Sequence, residues 1–525
     1  MNDQSLLWTL FPVIDKTAPC SYSAHMLRTI ILFLSLTFLA FADEKTDKSP
    51  APKSTDGAAS ESLKSVTKKA SVQIDGKKIP YKVTSGKIQL KGDDGKARAS
   101  IFHVSYERED VPDRSKRPVM FAFNGGPGSS SVWLHIGVLG PRILNLEGDG
   151  TRSTPPPLLV SENPQSILDV CDLVFVDPVS TGYSRAENEV KPGDFHGLNQ
   201  DIESLADFVR MWVSTHDRWA SPKHLLGESY GGMRVAGLSK HLQSRYGMHL
   251  NGVILLSSLL DFATVAGNSG SEIFRSVYLP SYTAVAHFHG KLEGDHDKLV
   301  AESTQFAYGE YASALIMGSS ISPDASAKIA SKLESLTSIP AATWQRHRLR
   351  IDPTEFRAEL LRKEGKFIGR FDARVTADAG DETSQEAKFD PSYSLAYGAF
   401  SSAMMDYLGR DLGYDEDQPY EIITSKVAPW RWDAENTVVS VADRLSTAMR
   451  DNPHLKVLVM SGHNDLATPP ESMAQSLRQM LDLPQAARSR IRTEFYEGGH
   501  MFYLNPADLK KTRVDLVKFL TEPSK

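Results

Sequence analysis

One serine has the surroundings of a nucleophile. Residues 227–231 read "GESYG", a G-x-S-x-G pattern in which a sharp strand-to-helix turn exposes a serine hydroxyl and small flanking residues relieve crowding. The pattern alone also fits an ordinary tight corner, so its context decides. "HLL" supplies a strand before Ser229, and Val235, Leu238 and Leu242 supply an apolar helical face after it. A serine hydroxyl barely ionises near neutral pH and needs an imidazole base, which in turn needs a carboxylate to fix its tautomer and stabilise the imidazolium. "VLVMSGHNDLATPP" puts Asp465 in a loop just after a strand, and "RTEFYEGGHMFYL" puts His500 in a glycine-rich loop after the next. Singly, Asp465 reads as a turn residue and His500 as a solvated loop histidine. Their shared placement at one sheet edge makes Ser229, Asp465 and His500 a candidate triad for acyl transfer. The attacked carbonyl oxygen also needs donors as it becomes negative. The Tyr230 backbone N–H is one, and "VMFAFNGGPGSSS" supplies another loop, in which Gly125 and Gly126 let backbone amides approach. As a phosphate loop this segment fails, because no Gly-Lys-Ser/Thr follows.

Such loops must project from a sheet. The apolar runs "VMFAF", "LVFV", "HLLGE", "VILLS", "KVLVM" and "RTEFY" are short and continuous, the pattern of strands covered on both faces. Between them lie helical periods: Ile202, Leu205, Val209 and Trp212 share a face in 198–213, and Leu509, Leu516, Val517 and Leu520 do so in 506–521, where Asn505 and Pro506 signal a start. Alternating strands and helices predict an α/β class with a mostly parallel central sheet, and the chain order Ser, Asp, His is that of the α/β-hydrolase fold. Residues 263–430 break the rhythm with helix-like "SAKIASKLESL" and "DPTEFRAELLRKEG" and are expected to form an inserted helical cap. The core then comprises 71–262 and 431–525, with antiparallel hairpins over 71–108 marked by "DGKK", "SGK" and "GDDGK".

Composition narrows the setting. The chain has 525 residues, 41% hydrophobic and 24% charged, with a net charge of −6. The charge is spread rather than blocked, so the basic footprint that nucleic-acid partners require is missing. From Met26 the text reads "MLRTIILFLSLTFLAFADEK", with Arg28, an apolar stretch from Ile30 to Phe41, and Ala40 and Ala42 at a cleavage position, the form of a secretory signal peptide. Residues 1–42 are therefore expected to be an N-terminal extension and signal, 26–42 being the signal and Met26 the true start. An uncleaved anchor is the alternative; after cleavage no stable membrane insertion is expected. Polar residues 43–70 read as a disordered linker. Only Cys20 and Cys171 occur, so no internal disulfide survives cleavage, and Cys171 in "CDLVFVD" reads as a buried strand residue. No Asn-x-Ser/Thr acceptor is present. The expected destination is secreted or periplasmic, by bacterial export.

"FNGGPGSSS", "LVFVDPVSTGYSRA", "LLGESYGG", "SGHNDLATP" and "GGHM" together resemble the serine carboxypeptidases, peptidase family S10, from about residue 118 to the C-terminus apart from the insertion. The resemblance implies Ser229, Asp465 and His500 as triad, Gly126 and Tyr230 as oxyanion donors, and Asn124, Gly125 and Glu228 as the groups that bind a peptide's terminal carboxylate. It implies peptide substrates, no cofactor and no metal. A protonated acid beside an asparagine amide and a backbone N–H would hold a carboxylate, whereas a charged Glu228 would repel it. The sequence departs from the family at Ser129, where a cysteine is common, and at Val138, where many members carry a second glutamate before "LGP". Met501 matches a family residue on the leaving-group side, with ordinary packing as the equal alternative. Arg142 reads either as an aid to carboxylate binding or as a structural arginine. His287, His289 and His296 cluster without a convincing metal-ligand spacing, Asp177 reads as a loop organiser, and His135 and His463 read as structural or rim residues. The implied activity is removal of C-terminal residues through an acyl-enzyme. An esterase or acyltransferase of the same fold is one alternative, and a catalytically silent binding protein is another.

Overall fold

In the computed structural model, which describes residues 63–267, 272–380, 384, 386–387, 389–435 and 437–522, each short apolar run becomes a strand; five have both faces covered, whereas "RTEFY" forms the edge strand and leaves Thr493 and Phe495 exposed. The main sheet contains β1 (Ser65–Ile74), β2 (Lys77–Lys91), β3 (Ala97–Arg108), β4 (Val119–Phe123), β5 (Asp172–Val176), β6 (Lys223–Glu228), β7 (Gly252–Leu256), β8 (Lys456–Gly462) and β9 (Ile491–Tyr496). Their spatial order is β1-β2-β3-β5-β4-β6-β7-β8-β9, with the two-residue strand Arg185–Ala186 added on β3. The pairings β1–β2, β2–β3 and β3–β5 are antiparallel. The pairings from β5 through β4, β6, β7 and β8 to β9 are parallel.

The two-residue pleat explains the continuous apolar runs. Met120, Ala122, Leu226, Ile254, Leu458 and Met460 join one buried cluster, while their neighbours Phe121, Phe123, Leu225, Val253, Val457 and Val459 join the other. Helices α1 (Leu198–Thr215), α2 (Gly231–Tyr246) and α3 (Ala442–Asp451) cover the second face through Leu205, Trp212, Leu238 and Leu445. Helix α4 (Pro506–Thr521) covers the first through Leu516 and Phe519. Its start is set by the Asn505 side chain, which accepts from Ala507 N at 3.1 Å, with Pro506 at the first helical position.

The first strand begins at Ser65, inside the stretch whose composition reads as linker. Its lysines and serines hide a full antiparallel register with β2, from Ser65 opposite Gly86 to Ile74 opposite Lys77, while Val66 and Ala70 pack on the core. Backbone pairing and a few inward apolar residues outweigh the polar composition there. The expected signal at 26–42, Cys20 and residues 43–62 lie outside the described residues. No described helix is long and apolar enough to cross a membrane.

Between β7 and α3 the chain leaves the sheet. Helices Ile273–Phe288, His296–Phe306 and Pro323–Thr337 build a separate apolar cluster around Leu279, Tyr282, Leu333, Trp344 and Phe356, and this cluster reaches Leu466, next to Asp465. "DPTEFRAELLRKEG" forms a shorter helix than its periodicity suggests, Pro353–Glu359, opened by an Asp352/Glu355 capping box. A small hairpin, Lys366–Ile368 against Thr376–Asp378, follows. Helix Pro391–Asp406 turns back and packs Ala396, Phe400 and Ala403 against the first face of the sheet.

Candidate active site

Ser229 occupies the junction between β6 and α2. Its φ is +61°, in the left-handed region that a residue with a Cβ adopts only when its surroundings insist. Here the Ser229 N–H donates to the carbonyls of Leu256 and Ser257, both at 3.1 Å. A Cβ on Gly227 would stand 2.1 Å from the Gly231 carbonyl oxygen, so the turn closes only with glycine there. Ser229 and His500 line the same pocket of about 320 Å³.

The loops after β8 and β9 bring Asp465 and His500 together. His500 Nδ1 lies 2.8 Å from Asp465 Oδ2, and both side chains are buried. Asp465 Oδ1 accepts the N–H groups of Ala467 at 2.7 Å and Thr468 at 2.9 Å, which fixes the carboxylate. Assigning the Nδ1 proton to this contact leaves Nε2 free to accept. Burial opposes a charged His500, yet the Asp465 carboxylate and its hydrogen bond outweigh it and raise the imidazole above its usual pKa. Thr468, not singled out from the sequence, completes the link. Its Oγ1 lies 2.8 Å from Asp465 Oδ2 and 3.0 Å from His500 Nδ1, and 2.7 Å from the carbonyl of Ser257, one of the two that receive the Ser229 N–H. Its signal was its position three residues after Asp465.

The glycine-rich loop after β4 is held from behind by Arg234 of α2, another residue absent from the sequence reading. Buried Arg234 pairs with Asp201 at 2.6 Å, binds the Asn124 carbonyl and reaches the Gly125 carbonyl at 3.1 Å. In a trans peptide the N–H points opposite to the C=O, so pinning these two carbonyls turns the N–H groups of Gly125 and Gly126 away from Arg234. A Cβ on Gly125 would lie 2.6 Å from Tyr230 N, so this loop and the Ser229 turn are in direct backbone contact. Asp177 anchors the far end of the loop by accepting from Ser131 N at 2.8 Å and Ser131 Oγ at 2.7 Å.

Glu228 is buried beside this loop. Asn124 Nδ2 donates to its Oε2 at 2.9 Å and the Tyr503 hydroxyl to the same oxygen at 3.0 Å, while Asn124 Oδ1 accepts from Leu134 N at 3.2 Å. Burial pushes the Glu228 carboxyl up to about 7, against the lowering effect of His500 and the two donors. Asn124, Gly125, Gly126, Glu228, Tyr230 and Met501 all line the pocket with Ser229 and His500. Tyr503 is a further partner that the sequence did not mark.

The insertion supplies part of the wall and part of the frame. Arg370, Phe371 and Tyr393 line the pocket. The Phe371 carbonyl accepts from His500 N at 2.5 Å, the Arg370 carbonyl from Leu466 N at 3.1 Å, and Ala373 N donates to Asn464 O at 2.9 Å. The Phe371 ring leans on the His500 ring with centroids 5.0 Å apart. Leu259, Phe262, Val265, Trp133 and Ile423 make the remaining wall largely apolar.

Other singled-out residues stand elsewhere. Arg142 lies 3.5 Å from Glu162 and is not part of the pocket. His287 bonds the Gly294 carbonyl, His289 the Ala373 carbonyl, and His296 pairs with Asp297. No group of three or more metal-ligating side chains occurs among the described residues. Cys171 is a buried free thiol pushed up by burial, His135 is buried with Nε2 2.7 Å from the Tyr106 hydroxyl, and His463 stacks on Phe495.

A mostly parallel sheet with helices on both faces and a strand–serine–helix turn at its centre defines an α/β-hydrolase fold. The solved structure of a prohormone-processing carboxypeptidase from Saccharomyces cerevisiae, Kex1(delta)p, superposes with a TM-score of 0.51 at 14% identity, covering 84% of this chain and 91% of that one. The family model described as serine carboxypeptidase, peptidase S10, matches residues 75–502, and the chain belongs to that family. Among curated relatives, "Serine carboxypeptidase-like 20" of Arabidopsis thaliana is 30% identical over 169 residues, 31% of each chain. "Carboxypeptidase Y homolog A" of Leptosphaeria maculans is 26% identical over 209 residues, 37% of this chain and 35% of the relative. These matches span about a third of the relatives' own length.

Proposed function

We propose that the chain is an exported serine-type carboxypeptidase that removes residues from the C-terminus of peptides. The observation that carries the reading is the buried Asn124–Glu228 pair in the pocket that Ser229 and His500 also line. An acid that holds its proton up to about pH 7, next to an amide donor, suits a terminal carboxylate, which an endopeptidase or a simple esterase has no need to grip. In this mechanism Ser229 Oγ attacks the last peptide carbonyl as His500 Nε2 takes its proton. Asp465 stabilises the resulting imidazolium. The backbone N–H groups of Gly126 and Tyr230 hold the negative oxygen, a contribution of about 3 kcal/mol for each donor. His500 passes the proton to the departing amine, the terminal residue leaves past Met501, and water repeats the sequence to free Ser229.

Glu228, Asn124 and the Gly125 N–H bind the substrate's carboxylate. Export rests on the sequence of residues 26–42. The test is to incubate the mature protein and its Ser229→Ala variant with a peptide library and read the products by mass spectrometry. Ladders shortened from the C-terminus, blocked by C-terminal amidation and absent in Ser229→Ala, are expected. Internal cuts, or turnover of esters without any peptide ladder, would overturn the assignment.

A further inference from the structure

We infer that Arg370, supplied by the insertion, gives this site a preference for peptides with an aspartate or glutamate beside the scissile bond. The inference rests on the carboxypeptidase reading above and names the substrate class it serves. Arg370 lines the pocket together with Ser229 and His500. Its side chain is exposed rather than buried in a structural ion pair, and its guanidinium carbon lies 5.3 Å from the centroid of the Phe371 ring, which itself leans on His500. No acidic side chain pairs with this guanidinium among the described residues.

The surrounding acids do not compensate it. Asp390, the acid bonded to the same loop, spends its carboxylate on Arg370 N at 3.0 Å, Phe371 N at 3.2 Å and Ser392 N at 3.1 Å. Glu228, the one acid in the pocket wall, is tied to Asn124 and Tyr503. Asp465 faces His500 and the backbone of its own loop. Much of the remaining pocket wall is aromatic or apolar, and among the described lining residues Arg370 is the one lysine or arginine. An uncompensated guanidinium at such a position is a fork-shaped donor set that a carboxylate side chain satisfies in a way its amide isostere cannot. The Arg370 carbonyl accepts from Leu466 N, which fixes where the side chain leaves the backbone.

The experiment compares kcat/KM for peptide pairs that differ only as Glu against Gln, placed at the last or the next-to-last residue, in wild type, Arg370→Gln and Arg370→Glu. Wild type is expected to favour the glutamate peptide about fivefold at one of the two positions at low ionic strength, the scale of a partly exposed charge pair, with the preference shrinking in salt. The ratio should fall to about one in Arg370→Gln and invert in Arg370→Glu, while Arg370→Lys retains part of it. Stoichiometric fluorophosphonate labelling of each variant shows that it is folded and reactive. A Glu/Gln ratio that is the same in all variants overturns the inference, including the case in which KM rises equally for every peptide because Arg370 grips the main-chain carboxylate. C-terminal ladders with an unchanged ratio leave the carboxypeptidase reading standing and sink only this preference; absence of any ladder sinks both.

Discussion

Replacing Glu228 by glutamine isolates the proposed carboxylate-binding role from the rest of the chemistry. Burial raises this carboxyl from its usual 4.5 to about 7, and because Asn124 and Tyr503 both donate to Oε2, Oε1 is the oxygen left to carry a proton toward a ligand. A raised pKa means that the neutral form is held up to about pH 7, so in the proposed role substrate binding is expected below that value and lost above it. If only the protonated form accepts a carboxylate, KM grows as the reciprocal of the protonated fraction: little change at pH 6, about twofold at pH 7 and about tenfold at pH 8. Glutamine cannot ionise, so KM for Glu228→Gln should stay flat across that range, while kcat in both proteins keeps the dependence set by His500. Stability gives a second readout with a defined sign. A carboxyl whose folded pKa exceeds its unfolded value contributes fully below about 4.5, and that contribution is lost as pH rises to about 7, amounting to about 3 kcal/mol at pH 8. Glu228→Gln should therefore match wild type in urea at pH 4 and exceed it at pH 8. Parallel KM profiles in the two proteins would refute the assignment of Glu228 to substrate binding.

Thr468→Val removes the hydroxyl shared by Asp465, His500 and Ser257; loss of about 1–2 kcal/mol of buried hydrogen bonding should lower kcat roughly tenfold with KM little changed, and an unchanged kcat would exclude a positioning role. Tyr503→Phe deletes one donor to the Glu228 carboxylate, so the alkaline rise in KM should begin at higher pH, by roughly half to one unit. A shift toward lower pH in that variant would contradict the geometry around Oε2.

The parallel half of the sheet is legible from the sequence because its strands, apart from the edge strand β9, are buried on both faces, and "VMFAF" or "VILLS" has no other way to satisfy its side chains. Ser229, Asp465 and His500 stand out for a related reason: each belongs to a local pattern, and each follows a strand of that sheet. Arg234, Tyr503 and the 370–373 loop carry no such local mark. Arg234 sits in a helical period like any other polar residue, and its role arises only when α2 meets the Asn124–Gly125 backbone. Phe371 is distant in sequence from His500, and no periodicity connects them. The first strand was obscured in the opposite way, since "SVTKKA" has the composition of a solvated tail and is ordered by its partner β2.

The 370–373 loop has a consequence for how this protein can change. Its carbonyls and N–H groups hold the segments that carry Asp465 and His500, while the Arg370 and Phe371 side chains line the cavity. Selectivity and rate are thus mechanically inseparable at this spot: a shorter or remodelled segment that admits a new substrate also loosens the imidazole. Diversification by single side-chain exchange on an intact backbone is the open route, and grafting a foreign loop is the closed one.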